Sequence, residues 1–144
     1  FIETTASLTN EMEEMLKENG ISVNRGKHWT TDAGYRETWE QVLDYRSKGA
    51  LCVEMEGVGL FTIAKYRKCS ATAIYIITDT ISEDGWHLGW ESTEIDKSIE
   101  KLIEVIKEKL GNNIVIGTHG ESMGATTCMI HAGRYHSVDF VVEH

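Results

Sequence analysis

Leu51-Cys52-Val53-Glu54-Met55-Glu56-Gly57 is the stretch that most limits what this chain can become. An apolar run delivers two carboxylates one residue apart and then stops at glycine. Side chains of a strand alternate with period two, so Glu54 and Glu56 are expected on one face. Burying an unpaired carboxylate is costly, so acids inside an apolar strand need a reason. One reading is a strand end whose acids point into water. The other is a grip for a diol or a cation at the rim of a sheet. The neighbouring segments have to decide.

Those segments alternate between helix and strand patterns. Ser7 and Thr9 are candidate N-caps for a helix through Asn10–Lys17, with acids early, Lys17 late and Gly20 as its stop. Ile21–Asn24 and His28–Thr31 read as short strands. Arg36–Lys48 suits an amphipathic helix closed by Gly49, with Trp39, Val42, Leu43 and Tyr45 apolar. Ala50–Glu54 is then a strand, and Glu56–Lys68 a helix burying Leu60, Phe61, Ile63 and Ala64. Ala71–Ile77 is apolar throughout, as a strand covered on both faces should be. Residues 78–94 read as a loop carrying Trp86, His87 and Trp90, either a lid or a subunit contact. Asp96–Leu110 is a helix with Ile99, Leu102, Ile103 and Ile106 on one stripe. Further strands are expected at Asn113–Ile116 and Val138–Val142. This order predicts an α/β fold with right-handed crossovers, a mixed and largely parallel sheet, and helices on both faces.

Composition excludes several partners. A net charge of −9 argues against a nucleic-acid surface, which needs clustered Lys and Arg. No apolar run approaches the ~20 residues of a membrane span, and no signal-peptide pattern opens the chain. The three cysteines, Cys52, Cys69 and Cys128, read as reduced thiols of a cytoplasmic protein and not as a disulfide framework. Cys128, His131 and His136 fit no zinc spacing, so no metal is expected. Proline is absent, where average usage would place about seven. With a first residue that is Phe1 and not Met, this suggests a piece of something larger.

Ligands of open α/β sheets bind outside the carboxyl ends of the strands. Three polar clusters fall at such ends: Thr30-Thr31-Asp32, Glu54-Met55-Glu56 and Thr78-Asp79-Thr80. Their order and spacing, with Trp29-Thr30-Thr31-Asp32-Ala33-Gly34-Tyr35, Val53-Glu54-Met55-Glu56 and Ile77-Thr78-Asp79, resemble the nucleoside phosphorylase family of purine nucleoside and uridine phosphorylases. The resemblance covers residues 1–111 and corresponds to the C-terminal half of the family's domain. It implies a phosphorylase/hydrolase-like fold and a pentosyltransferase that cleaves the N-glycosidic bond of a nucleoside. Inorganic phosphate would be the co-substrate, with no cofactor.

The resemblance also implies roles. Glu56 matches the glutamate that holds the ribose hydroxyls, Met55 the methionine packed under the sugar, and Glu54 the acid bordering base and sugar. Asp79 matches the general acid that protonates the departing base, with Thr78 beside it. Thr30, Thr31 and Tyr35 would line the pocket. Family members assemble from dimers, which implies a homodimer or larger homo-oligomer.

The departures are equally specific. No arginine lies between Asp79 and Gly111 to assist protonation, and Gly34 stands where some purine enzymes carry a stacking aromatic. The Gln-x-Arg clamp for uracil is not visible, which favours purines. The glycine-rich phosphate loop and the phosphate-binding arginines are absent. A catalytically incomplete nucleoside-binding or partner-dependent domain is therefore the alternative. Residues 112–144 form a tail with weak similarity to a segment the family places upstream of Phe1, which implies a permuted strand segment of the same domain. Ile114-Val115-Ile116-Gly117-Thr118-His119-Gly120 also resembles the opening strand of mannose-type sugar-phosphotransferase domains, with His119 as phosphocarrier.

Overall fold

The structure is a computed structural model, and its described residues are 2–89, 93–110, 117–120 and 140–143. Helix α1 spans Ala6–Glu18 and begins earlier than Ser7 or Thr9 suggested, because Thr5 takes the N-cap position. The Thr5 hydroxyl does not cap the helix. It accepts the Ala71 amide at 3.0 Å, and the Thr5 amide donates to the Ala71 carbonyl at 2.9 Å. The entry of α1 is thus tied to a segment 66 residues away. Leu16, 1% exposed, anchors its buried face.

Strands β1 (Lys27–Thr30) and β2 (Ala50–Glu54) pair in parallel, with His28 opposite Cys52, Trp29 opposite Val53 and Thr30 opposite Glu54. Parallel neighbours need a crossover. Here it contains a 3-10 turn at Gly34–Arg36 and helix α2, Trp39–Ser47. The expected helix over Arg36–Lys48 is shorter because Thr38 starts it with a capping box. Thr38 Oγ1 accepts the Gln41 amide at 3.4 Å, and Gln41 Oε1 accepts the Thr38 amide at 3.2 Å. Thr38→Ala is expected to lower stability by about 1 kcal/mol. The check is a lower denaturant midpoint at unchanged slope; an unmoved midpoint would leave the box without energetic weight.

Helix α3, Gly57–Arg67, follows β2 after a two-residue turn. It buries Phe61, whereas Leu60 and Ile63 are about half exposed or more, against the expectation that both face inward. The helix is apolar on nearly every side, so periodicity cannot select a face. Two expected strands do not form: Ile21–Asn24 and Ala71–Ile77 have no ladder partner among the described residues. An apolar run becomes a strand only when another strand takes its backbone groups. Conversely, the supposed loop after Thr78 contains β3 (Asp79–Ser82) and β4 (Gly85–Leu88), which form a two-stranded sheet. Glu83 and Asp84 join them, a connection short enough only for antiparallel strands. Gly85 adopts φ +125°, a region that strongly favours glycine.

Helix α4 runs Thr93–Leu110, with Ile95, Ile103 and Val105 buried and Ile99, Leu102 and Ile106 partly so. Beyond it, β5 (Gly117–Gly120) and β6 (Phe140–Glu143) pair in parallel. The expected strand at Asn113–Ile116 lies outside the described residues, as do Trp90, Cys128, His131 and His136. The chain forms two compact units, residues 1–77 with 81–85 and residues 78–80 with 86–144. Helices with small parallel sheets make this an α/β protein. Among the described residues no helix is long and apolar enough to cross a membrane.

Candidate functional site

In the first unit, β2 ends at Glu54 and the chain turns directly into α3, with Glu56 at the N-cap position (φ −117°, ψ −26°). Glu54 and Glu56 therefore do not share a strand face, because the pleat stops before the second acid. Glu54 folds back over its own turn. Its Oε2 accepts the Glu56 amide at 2.8 Å and the Gly57 amide, and its Oε1 accepts the Thr30 hydroxyl. Thr30 Oγ1 in turn accepts the Val58 amide at 3.2 Å. Three N–H groups at the start of α3, which helix geometry leaves without partners, are met by two side chains from the strand ends. A carboxylate there also faces the positive end of the helix dipole. The Glu54 side chain is 6% exposed and is a brace for this turn.

The turn presents Met55 and Glu56. Met55 is 37% exposed. Glu56 is half-buried, and its Oε2 accepts the Met55 amide at 3.2 Å.

Thr30 and Thr31 line a cleft of about 360 Å³ with Trp29, Asp32, Ala33, Arg36 and Gln41. That is within the range of small-molecule sites. Trp29 is held there by stacking on Tyr45 of α2, ring centroids 4.3 Å apart at 17°. Tyr35 points into solvent, 91% exposed, and is not among the cleft residues. Thr78 and Asp79 belong to the second unit, where the Thr78 hydroxyl donates to Asp79 Oδ2 at 3.2 Å and the Thr78 carbonyl accepts the Gly89 amide at 2.9 Å.

Arg36 and Gln41 were not foreseen as cleft residues. Arg36 sits four positions after Asp32 at the mouth of the β1–α2 crossover, and a cation following a Thr-Thr-Asp strand end was the available signal. Nor were His28 and Tyr75, which stand behind Glu54. Burial raises the Tyr75 hydroxyl above its usual range, assisted by the charges of Glu54, Cys52 and Glu56. Burial, then the Glu54 charge, raises the Cys52 thiol. Among the described residues no group of three His, Cys, Asp or Glu side chains is placed to hold a metal.

A strand–turn–helix that braces Glu54 and presents Glu56 is thus followed in sequence by Thr78 and Asp79 at the start of another strand. The profile of the phosphorylase superfamily matches residues 1–111, and the chain belongs to that superfamily. Among curated proteins it is similar to a DeoD-type purine nucleoside phosphorylase of Exiguobacterium sibiricum, 36% identical over 63 residues. That match covers 44% of this chain and 27% of the relative. A second DeoD-type enzyme, from Exiguobacterium sp., is 35% identical over 60 residues, covering 42% and 25%. The matched region thus spans about a quarter of each relative's length. No solved structure matches.

Proposed function

We propose that this chain is a nucleoside phosphorylase-like pentosyltransferase, cleaving the N-glycosidic bond of a purine nucleoside with inorganic phosphate as co-substrate and no cofactor. The observation that carries the reading is the braced turn: Glu54 is spent on the amides of its own turn, leaving Glu56 as the acid presented at the strand end. In this reading Glu56 accepts hydrogen bonds from the vicinal ribose hydroxyls, and its charge favours the oxocarbenium-like ribose of the transition state. Met55 lies under the sugar, a role suited to a soft side chain. Thr30 and Thr31 border the pocket, whereas Tyr35, 91% exposed, would reach the ligand only by turning inward. Asp79, steadied by Thr78, protonates the leaving base, on the strength of its place in the family's order of motifs.

The same reading makes residues 1–111 the C-terminal half of a phosphorylase/hydrolase-like domain with a mixed, largely parallel sheet. Residues 112–144 would be a permuted segment of it. It carries with it purine salvage in the cytoplasm and assembly as a homodimer or larger homo-oligomer. The purine preference rests on two curated relatives that are named purine nucleoside phosphorylases.

The test is base release from inosine, adenosine and uridine, each with and without phosphate. Phosphate-dependent release from the purine nucleosides is expected. Release without phosphate would make the protein a nucleosidase. No release in either arm would favour the second reading, a nucleoside-binding or partner-dependent domain. Glu56→Gln is expected to weaken inosine binding about 10–100-fold, the worth of hydrogen bonds to a charged acceptor. Calorimetric titration reads this directly, and unchanged affinity would remove Glu56 from the ribose site.

A further inference from the structure

Behind the Glu56 turn, three polar atoms from three segments converge on one point. A Cβ added to Gly57 would lie 2.7 Å from His28 Nε2, 2.8 Å from Glu54 Oε1 and 2.9 Å from the Tyr75 hydroxyl. The proposed reaction assigns no step to either His28 or Tyr75. We propose that His28 is a positioning residue that acts through Glu54 to hold the Glu56 turn; the functional part of this inference rests on the reading of Glu56 as the ribose grip.

The argument starts from what a buried carboxylate requires. The Glu54 side chain is 6% exposed and offers about four lone-pair sites. Two amides occupy Oε2, and the Thr30 hydroxyl occupies one site on Oε1. His28 Nε2 faces the remaining site at 3.6 Å, longer than a hydrogen bond but well within electrostatic reach. An Nε2 hydrogen, which either the neutral ring or the cation can carry, would place positive charge beside that oxygen.

The ring cannot swing away easily. It packs edge-on against Tyr75 at 5.1 Å between centroids and lies 5.8 Å from Phe61, itself 2% exposed. His28 and Thr30 stand two apart on β1, hence on one face, and both address Glu54 Oε1. Core packing therefore fixes the imidazole, the imidazole helps fix Glu54, and Glu54 fixes the Glu56 and Gly57 amides. The Tyr75 hydroxyl is buried and has no hydrogen-bond partner among the described residues. It contributes ring contact and not a bond, which makes Tyr75→Phe a control of nearly unchanged shape.

The experiment pairs amide hydrogen exchange with binding of inosine and 2′,3′-dideoxyinosine, in the full chain. His28→Phe keeps the ring packing and removes the donor; His28→Gln keeps a donor. For His28→Phe, faster exchange at Glu56 and Gly57 is expected, with Leu16 unchanged. Inosine affinity should fall about tenfold while that for the dideoxy compound, which has no diol to grip, stays level. His28→Gln should recover both, and Tyr75→Phe should leave both intact. Unchanged exchange at Glu56 and Gly57 would overturn the proposal, and so would exchange rising everywhere, Leu16 included. Equal losses for inosine and the dideoxy compound would overturn the functional link. If the unmodified protein binds both compounds equally, the ribose reading of Glu56 fails by itself, and the exchange arm still decides whether His28 holds the turn.

Discussion

Asp79→Asn is expected to slow base release by about 10²–10⁴-fold, the usual worth of a positioned general acid, while inosine binding changes little. Asparagine keeps the shape of the side chain and can still accept a hydrogen bond from the Thr78 hydroxyl, which lies 3.2 Å from Asp79 Oδ2. It has no proton to give to a departing base. The difference between the two side chains is thus confined to the chemical step, where a transition-state interaction lowers kcat and kcat/KM together. Single-turnover release at saturating nucleoside, set beside a binding isotherm, separates the outcomes. Equal loss of binding and release would assign Asp79 to holding the ligand or the fold, and unchanged release would exclude it as the acid.

How much of this was legible beforehand depended on whether a signal was local. The stripe Ile99, Leu102, Ile103 and Ile106 identified α4 because helical period and burial coincide there, and the structure adds Ile95 and Val105 to its buried residues. In α3 the same approach misassigned Leu60 and Ile63, since a helix apolar on nearly every side carries no phase. The apolar run Ala71–Ile77 has the composition of a strand, yet strands are defined by a partner's backbone, which no single stretch contains. The hairpin after Thr78 carries a turn signal at Asp84-Gly85, but Trp86 and Trp90 in an otherwise polar stretch favour a loop on sequence alone.

The acid pair shows the same division. That two carboxylates gather at the end of β2 could be read from sequence. That they part company could not, because it depends on where the strand stops and on Thr30, 24 residues upstream, meeting Glu54. His28 and Tyr75 gave no signal at all; only the parallel register of β1 and β2 and the path of residues 69–78 bring them to Glu54.

Gly57→Ala tests that convergence from the backbone side, and two effects compete in it. Gly57 opens α3, and alanine in a helix is favoured over glycine by roughly 0.5–1 kcal/mol. At an open position such as Gly59, where an added Cβ meets nothing within 4 Å, that gain should appear. At Gly57 the methyl would stand less than 3 Å from three side-chain atoms at once, none of them the end of a freely mobile chain. His28 is held by Tyr75 and Phe61, Glu54 by its three donors, and the Tyr75 hydroxyl is buried. Overpacking of this kind costs typically ~1–3 kcal/mol, and displacing Glu54 adds the cost of leaving a buried carboxylate short of donors. The balance is a net destabilisation of about 1–3 kcal/mol, read by denaturant unfolding, while Gly59→Ala is neutral or stabilising. The binding readout is sharper, since the Glu56 amide is freed when Glu54 moves: inosine affinity should fall more than that of 2′,3′-dideoxyinosine. A Gly57→Ala protein as stable as the parent would show that the space behind the turn gives way readily, and the brace would then be too soft to set where Glu56 stands.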